Sequence, residues 1–295
     1  MNGREAGFLL LSSHLGAPQR RVLTVPQLRT LAKRAKGLAR ADRELTEEDL
    51  VSIGYDRTMA ARIVELLEST EQLSWYLKKG GRAGCVPVTR VNPVYPERVK
   101  QRLGWDCPGV LWAKGDLSLL AKPAVALVGS RDLLPENRAF AEEAGRQAAK
   151  QGFVLISGNA RGADKAAQEA CLAAGGQVIC VVADSLESHM LQPDILYLSE
   201  DGFDLPFSSQ RALSRNRVIH ALGMRILVAQ CSLGKGGTWD GTVKNLRHNW
   251  SPVFCFRDGS PSMAELAAMG ARLIPEKELK DLRILTPDEL NFIDR

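Results

Sequence analysis

Three short apolar runs in the middle of the chain each lead into a loop rich in glycine and basic residues. The pairs are Ala124–Val128 with Gly129-Ser130-Arg131, Phe153–Ile156 with 157–164 (SGNARGAD), and Ile226–Ala229 with 234–238 (GKGGT). A strand, a glycine loop and a helix in succession build the anion-binding corner of an open α/β sheet. Cations in every such loop favour a polyphosphate or a nucleic-acid strand over a neutral metabolite.

The composition is that of an ordinary globular protein, long enough at 295 residues for one large and one smaller domain. No apolar stretch approaches the roughly 20 residues that span a bilayer. Phe8–Leu11, preceded by Glu5, is too short for the core of a secretory signal, so we expect a cytoplasmic protein. The six cysteines form no C-x-x-C pair, and we expect no metal site, disulfide framework or cofactor. The net charge of +5 permits an anionic partner without requiring one.

Residues 1–82 predict a small helical domain. Thr24, Thr46 and Asp56 each precede a run of apolar residues at helical spacing, as N-cap residues do. Gly80 is expected to end the last helix of this domain.

Residues 83–295 predict an α/β, Rossmann-like domain with a mainly parallel sheet and helices on both faces. Two short extended pieces, 86–88 and 108–113, come first. Apolar strand-like runs then alternate with helical patterns, which is typical of parallel sheets. The predicted strands are Ala124–Val128, Phe153–Ile156, Gln177–Ala183, Ile195–Leu198, Arg225–Ala229, Val253–Phe256 and Ala271–Ile274.

The first loop has the residue types of a direct phosphate contact. Gly129 would let the backbone approach the ligand, Ser130 could donate a hydrogen bond, and Arg131 could grip two phosphate oxygens. The same three residues also suit a plain strand-to-helix turn with a surface arginine, and the sequence leaves both interpretations open.

The second loop contributes four candidate ligand contacts: Ser157, Gly158, Arg161 and Gly162. Asp164, at the start of the next helix, is interpreted as a helix cap or a partner for Arg161 rather than as a general base. Lys165 lies in the first helical turn, where the helix dipole disfavours a cation unless an anion binds nearby.

Two later segments add further candidate contacts: Arg211, Arg215, Asn216 and Arg217 on a helix, and Lys235, Gly236, Gly237 and Thr238 in a loop. Arg211 and Arg215 share a helix face, where like charges repel unless something neutralises them. A solvated basic face is the alternative for Arg211. The loop suits a phosphate cradle, although the chain has neither a Walker A motif nor the dinucleotide fingerprint.

No catalytic arrangement is visible in the sequence. The four histidines are scattered, and His220 is expected to be packed within its helix. Trp239 and Trp250 could stack on nucleic-acid bases, but we favour a packing role for each.

The order of these motifs resembles that of the DNA-processing protein A (DprA/Smf) family. Besides the first two loops, the resemblance is carried by Tyr95-Pro96, Leu111–Gly115, Gly175-Gly176 and Arg215–Ile219, and it covers roughly residues 86–275. It implies an extended Rossmann-like fold with a basic pocket for single-stranded DNA. It also implies frequent dimers and a role in loading a RecA-type recombinase. Residues 50–63 resemble the helix-hairpin-helix module that is common at the N-terminus of this family.

We therefore expect a non-enzymatic single-stranded-DNA-binding protein that forms a homodimer and assists a RecA-type recombinase. The alternative is a nucleotide sensor or a phosphoribohydrolase-like enzyme. Gly236-Gly237-Thr238 is similar to part of the Gly-Gly-x-Gly-Thr-x-x-Glu motif of those enzymes, but only Asp240 lies near the place of the glutamate. Natural transformation, repair and anti-phage defence all fit the sequence.

Overall fold

A computed structural model describes residues 1–38, 44–200, 202–283 and 285 of the chain. In this part nine strands form one sheet of order β1-β2-β6-β5-β4-β3-β7-β8-β9. The β1–β2 and β2–β6 pairs are antiparallel and the other six pairs are parallel, which confirms the predicted α/β fold. The strands are β1 (Val86–Thr89), β2 (Val110–Lys114), β3 (Ala124–Val128), β4 (Val154–Ser157), β5 (Val178–Val181), β6 (Ile195–Glu200), β7 (Ile226–Val228), β8 (Val253–Phe256) and β9 (Arg272–Ile274).

The described residues also form eleven α-helices, of which the first five precede the sheet. These are α1 (Gly3–Ser12), α2 (Val25–Arg34), α3 (Glu47–Ser52), α4 (Arg57–Glu68) and α5 (Thr70–Arg82). The other six connect or flank the strands: α6 (Glu97–Leu103), α7 (Pro135–Lys150), α8 (Ala163–Ala173), α9 (Ser209–Leu222), α10 (Gly237–His248) and α11 (Pro261–Ala268).

The central strands are apolar throughout because helices cover the sheet on both faces. Along β3, Val125 and Leu127 enter the core beneath α7 and α8, whereas Ala126 and Val128 enter the core beneath α9, α10 and α11. All five residues of β3 are buried. The sheet therefore separates two hydrophobic cores and holds the ends of its central strands in fixed positions.

The direction of the chain reverses beside β3. From β3 the chain moves strand by strand to β6, and α9 then crosses back so that β7 pairs with β3 on its other side. Such a switch point leaves a crevice at the carboxyl ends of the two strands, where open α/β sheets bind ligands. The loops that follow β3, β4 and β7 meet at this edge of the sheet.

The helical segment has its own small core, formed by α2, α3 and α4 around Leu50 and Ile63. Thr24, Thr46 and Asp56 accept hydrogen bonds as N-caps, as predicted. Helix α1 was not predicted, and α5 continues through Gly80, which packs against the rings of Trp112 and Phe203 in the core of the sheet. The division into domains 1–82 and 83–295 stays a prediction.

Cysteine side chains contribute to the hydrophobic cores. Cys180 in β5 and Cys255 in β8 are fully buried. Among the described residues, no helix is both long and apolar enough to cross a membrane.

Candidate nucleic-acid interface

A cleft with two adjoining compartments lies at the switch point. The larger, of about 440 Å³, is bounded by the loops after β3 and β7 and by α9. The smaller, of about 340 Å³, is bounded by the loops after β4 and β5 and by the same helix. Four residues line both compartments: Arg131, Ala160, Ala212 and Arg215. The cleft therefore runs across the ends of several strands.

Asp164 organises the loop after β4. Its Oδ2 accepts hydrogen bonds from the backbone N–H of Gly158 at 3.0 Å and of Ala160 at 3.1 Å. Burial raises the pKa of this carboxyl group, and the Arg215 charge and the two N–H donors oppose that shift. The predicted helix cap is wrong, because α8 has no side-chain cap and the carboxylate instead binds N–H groups of the loop before it. Arg161, proposed as its partner, instead forms an exposed ion pair with Asp132.

Arg215 is the buried cation of the cleft. Its guanidinium lies against the Cα of Gly158, where a Cβ atom would overlap it. The side chain is 8% exposed, and its Nε atom has no hydrogen-bond partner among the described residues. Burial lowers the pKa of Arg215, while the charge of Asp164 raises it. A buried cation with unused donors favours an anionic ligand at this point.

The first loop is fixed by packing. A Cβ atom at Gly129 would lie 2.5 Å from the Cβ of Ala163, so this glycine allows α8 to approach the end of β3. The hydroxyl of Thr238 donates to the carbonyl of Gly129 at 2.9 Å and ties the third loop to the first. Arg131 is exposed and lines both compartments.

The third loop delivers the N-terminus of α10 to the cleft. Gly236, with φ of +89°, precedes the helix, and the side chain of Asn216 donates to the carbonyl of Gly237 at 3.0 Å. Lys235 is exposed on the rim of the larger compartment. Free N–H groups and the helix dipole make this end of α10 suited to an anion.

Gly162 shows a further constraint on the loop after β4. Its φ is +86°, and a Cβ atom would overlap the carbonyl oxygens of Ser130 and Arg131. The first two loops are thus in backbone contact at this residue. Ser130 itself lines the larger compartment.

Two predicted arginines have structural partners instead. Arg211 donates to the carbonyl of Ala183 at 2.7 Å and to further carbonyls at the start of α9. Arg217 forms an ion pair with Glu200 at 3.0 Å and donates to the carbonyl of Asp106. Both guanidinium groups hold the chain around α9 and lie outside the two compartments.

Two other candidates also lie outside the described cleft. Ser157 is fully buried, and its hydroxyl accepts a hydrogen bond from Gln168. Lys165 is exposed on the first turn of α8.

Sequence reasoning missed two apolar side chains of the cleft wall. Phe207 lines the smaller compartment and Leu213 the larger, and both are exposed. The packing role favoured for the two tryptophans agrees with the structure, because Trp239 is buried and Trp250 is stacked on His248.

The fold and the cleft define a Rossmann-like α/β protein with a basic cleft at its switch point. The family model of DNA recombination-mediator protein A matches residues 87–278. The chain therefore belongs to the DNA recombination-mediator protein A family. This family consists of recombination mediators rather than enzymes, which supports the non-enzymatic prediction.

Several named relatives support this assignment. The chain is 34% identical over 183 residues to the DNA processing protein DprA of Streptococcus pneumoniae, a match covering 58% of this chain and 64% of that protein. It is 28% identical over 203 residues to the DprA of Bacillus subtilis, covering 63% and 66%. It is 30% identical over 193 residues to the protein Smf of Escherichia coli, covering 59% and 50%. The chain thus spans between half and about two thirds of the length of these relatives.

Solved structures show the same fold. The Streptococcus pneumoniae DprA structure matches with a TM-score of 0.73 at 24% identity and covers 95% of this chain and 97% of that one. A Helicobacter pylori DNA processing protein A, described by its single-stranded-DNA-binding mode, matches with a TM-score of 0.56 at 24% identity. That match covers 66% of this chain and 94% of the other.

Proposed function

We propose that this chain binds single-stranded DNA in the two-compartment cleft and acts as a recombination mediator. The observation that carries the proposal is Arg215, a buried cation with an unpaired Nε atom at the junction of the two compartments. A phosphate group in the cleft would supply further negative charge and hydrogen-bond acceptors to this guanidinium group. Family membership and the DNA-binding description of the Helicobacter pylori relative support the same ligand.

Several residues of the cleft would contribute to binding. Arg131, Arg161 and Lys235 present charges along the open side, and Arg215 lies at the base. Ser130, Gly158, Asn216 and the α10 N-terminus at Gly236, Gly237 and Thr238 shape the site between them. Gly162 holds the first two loops together, and Lys165 would contact the strand only outside the cleft.

Binding through phosphates predicts a strong dependence on salt. The affinity of oligo(dT), measured by fluorescence anisotropy, should fall steeply as salt rises, because each neutralised phosphate releases counterions. We expect Arg131→Ala to weaken binding about tenfold and to reduce the slope of log affinity against log salt by about 0.7.

Lys122→Ala provides the control. Lys122 is exposed at the opposite, amino-terminal end of β3, where its side chain donates to Gln177. Its removal takes away one positive charge without touching the cleft, so binding should be unchanged. Absence of oligo(dT) binding at low salt, or equal effects of the two substitutions, would contradict the proposal.

We also propose that this chain forms a homodimer that loads a RecA-type recombinase. Family membership alone supports this part of the proposal. Light scattering of the purified chain at several concentrations tests the dimer. Recombinase filament formation on coated single strands, with and without this protein, tests the loading step. A concentration-independent monomer would contradict the dimer, and unchanged filament formation would contradict the loading step.

A nucleotide ligand is the second candidate, because the larger compartment has a volume typical of small-molecule sites. A nucleotide would compete with oligo(dT) for the same cations. Competition by nucleoside monophosphates at micromolar concentration would favour a sensor, and release of free base would favour a phosphoribohydrolase. We expect neither.

A further inference from the structure

The cleft has both charged and apolar lining residues. Exposed cations, Arg131, Arg161 and Lys235, lie on the loops that follow the strands. The apolar side chain of Phe207, in the segment before α9, lines the smaller compartment, and that of Leu213, in α9, lines the larger. A ligand filling this cleft would meet both charge and apolar surface.

Phe207 is the most exposed large apolar residue of the cleft. It is 56% exposed, and among the described residues that line the two compartments it is the one phenylalanine, tyrosine or tryptophan. Leu213 is 49% exposed in the adjoining compartment. Large apolar side chains that face a cleft together, next to cations, are typical of interaction surfaces.

The backbone that carries Phe207 is held in place. Arg211 donates to the carbonyls of Leu205 and Pro206 at 2.9 Å and to Ala183 at the end of β5. Its other nitrogen donates to the hydroxyl of Ser199 in β6 at 2.7 Å. Phe207 follows directly in the chain, so its Cα is fixed relative to the sheet. A platform of this kind loses little conformational entropy when a ligand stacks on it.

We infer that Phe207 is a base-stacking platform, and that the cleft holds a single strand with its phosphates at the cations, Arg215 included, and a base on the ring of Phe207. This inference rests on the proposed function and adds the orientation of its ligand. Aromatic platforms beside a cationic groove bind single strands with little dependence on sequence, because every base has a stacking face. A duplex keeps its bases paired and stacked, so Phe207 would also favour single strands over duplex.

The inference is tested with a strand that lacks bases. Oligo(dT) and an abasic oligonucleotide of equal length carry the same phosphates, so only oligo(dT) can stack on Phe207. We expect Phe207→Ala to weaken oligo(dT) binding about five- to tenfold without changing the salt slope. Binding of the abasic strand should be the same for the wild type and for Phe207→Ala.

Two further variants complete the test. Phe207→Trp should retain oligo(dT) affinity, since indole offers a larger stacking face. Trp75→Ala removes an aromatic ring that is 58% exposed on α5, away from the cleft, and should leave both affinities unchanged.

The outcomes separate the two proposals. If the wild type binds neither strand, the proposed function fails. If it binds both strands equally, or if Phe207→Ala weakens both alike, DNA binding stands and the stacking platform is overturned.

Discussion

The guanidinium of Arg215 lies against the backbone of Gly158, with no room between them for a single methyl group. This contact explains the glycine: its φ is not positive, so it is required by the neighbouring side chain and not by the turn. The same loop is held by Asp164, whose Oδ2 accepts from the N–H of Gly158. The loop therefore sets the position of the buried cation.

Gly158→Ala should impair binding far more than folding. The new methyl would displace the Arg215 guanidinium, which is the flexible end of a long side chain, from its place at the junction of the compartments. We expect oligo(dT) affinity to fall at least tenfold, with a small change in the thermal unfolding midpoint.

The matched control is Gly81→Ala. Gly81 lies in α5 with open space around its Cα, so alanine there should leave binding unchanged and stabilise the helix by about 1 kcal/mol. Unimpaired binding by Gly158→Ala would show that Arg215 does not contact the strand.

Arg217→Ala should lower the stability of the fold far more than it lowers oligo(dT) affinity. Its guanidinium is paired with Glu200, whose side chain is 7% exposed, and removal would leave that carboxylate buried without its cation. We expect a loss of about 2 kcal/mol or more in the free energy of unfolding, measured by urea denaturation. Oligo(dT) affinity of the folded fraction should stay near that of the wild type. A tenfold loss of affinity with unchanged stability would instead indicate that Arg217 contacts the strand.

The contrast between Arg215 and Arg217 shows what could be predicted from the sequence. Apolar runs and glycine loops predicted the strands from β3 onward and the edge where their loops meet, because strand burial and parallel topology follow from local patterns. Which arginine faces the cleft depends on how α9 is rotated about its axis. The partners that hold Arg217 away from the cleft, Glu200 and Asp106, lie outside this helix in the sequence and carry no local signal.

Phe207 was missed for a related reason. It lies in an irregular segment before α9, where no apolar periodicity distinguishes an exposed ring from a buried one. Its position depends on the hydrogen bonds that Arg211 donates to neighbouring carbonyls, and the sequence had made Arg211 a candidate ligand contact instead. Helix α1 was missed because its single apolar run was judged only as a signal sequence.

Thr238→Val should loosen the cleft without changing its charge. The hydroxyl of Thr238 donates to the carbonyl of Gly129, and valine has the same shape without the donor. We expect a loss of about 1 kcal/mol in stability and a several-fold loss of oligo(dT) affinity. Thr238→Ser keeps the donor and should behave as the wild type in both assays. A loss in Thr238→Ser with none in Thr238→Val would assign the residue to methyl packing instead.

Buried His220 should make the fold sensitive to mild acid. Burial lowers its pKa from 6.5 to about 3, so the folded protein keeps it neutral while the unfolded chain protonates it near pH 6.5. The unfolded state then binds more protons, and stability present above pH 6.5 is lost as the pH falls toward 3. Between pH 7 and 5 this amounts to about 2 kcal/mol in urea denaturation. His220→Gln cannot take up that proton, so its stability, whatever its absolute value, should vary less over this range. An equal slope for both proteins would assign the acid sensitivity to other groups.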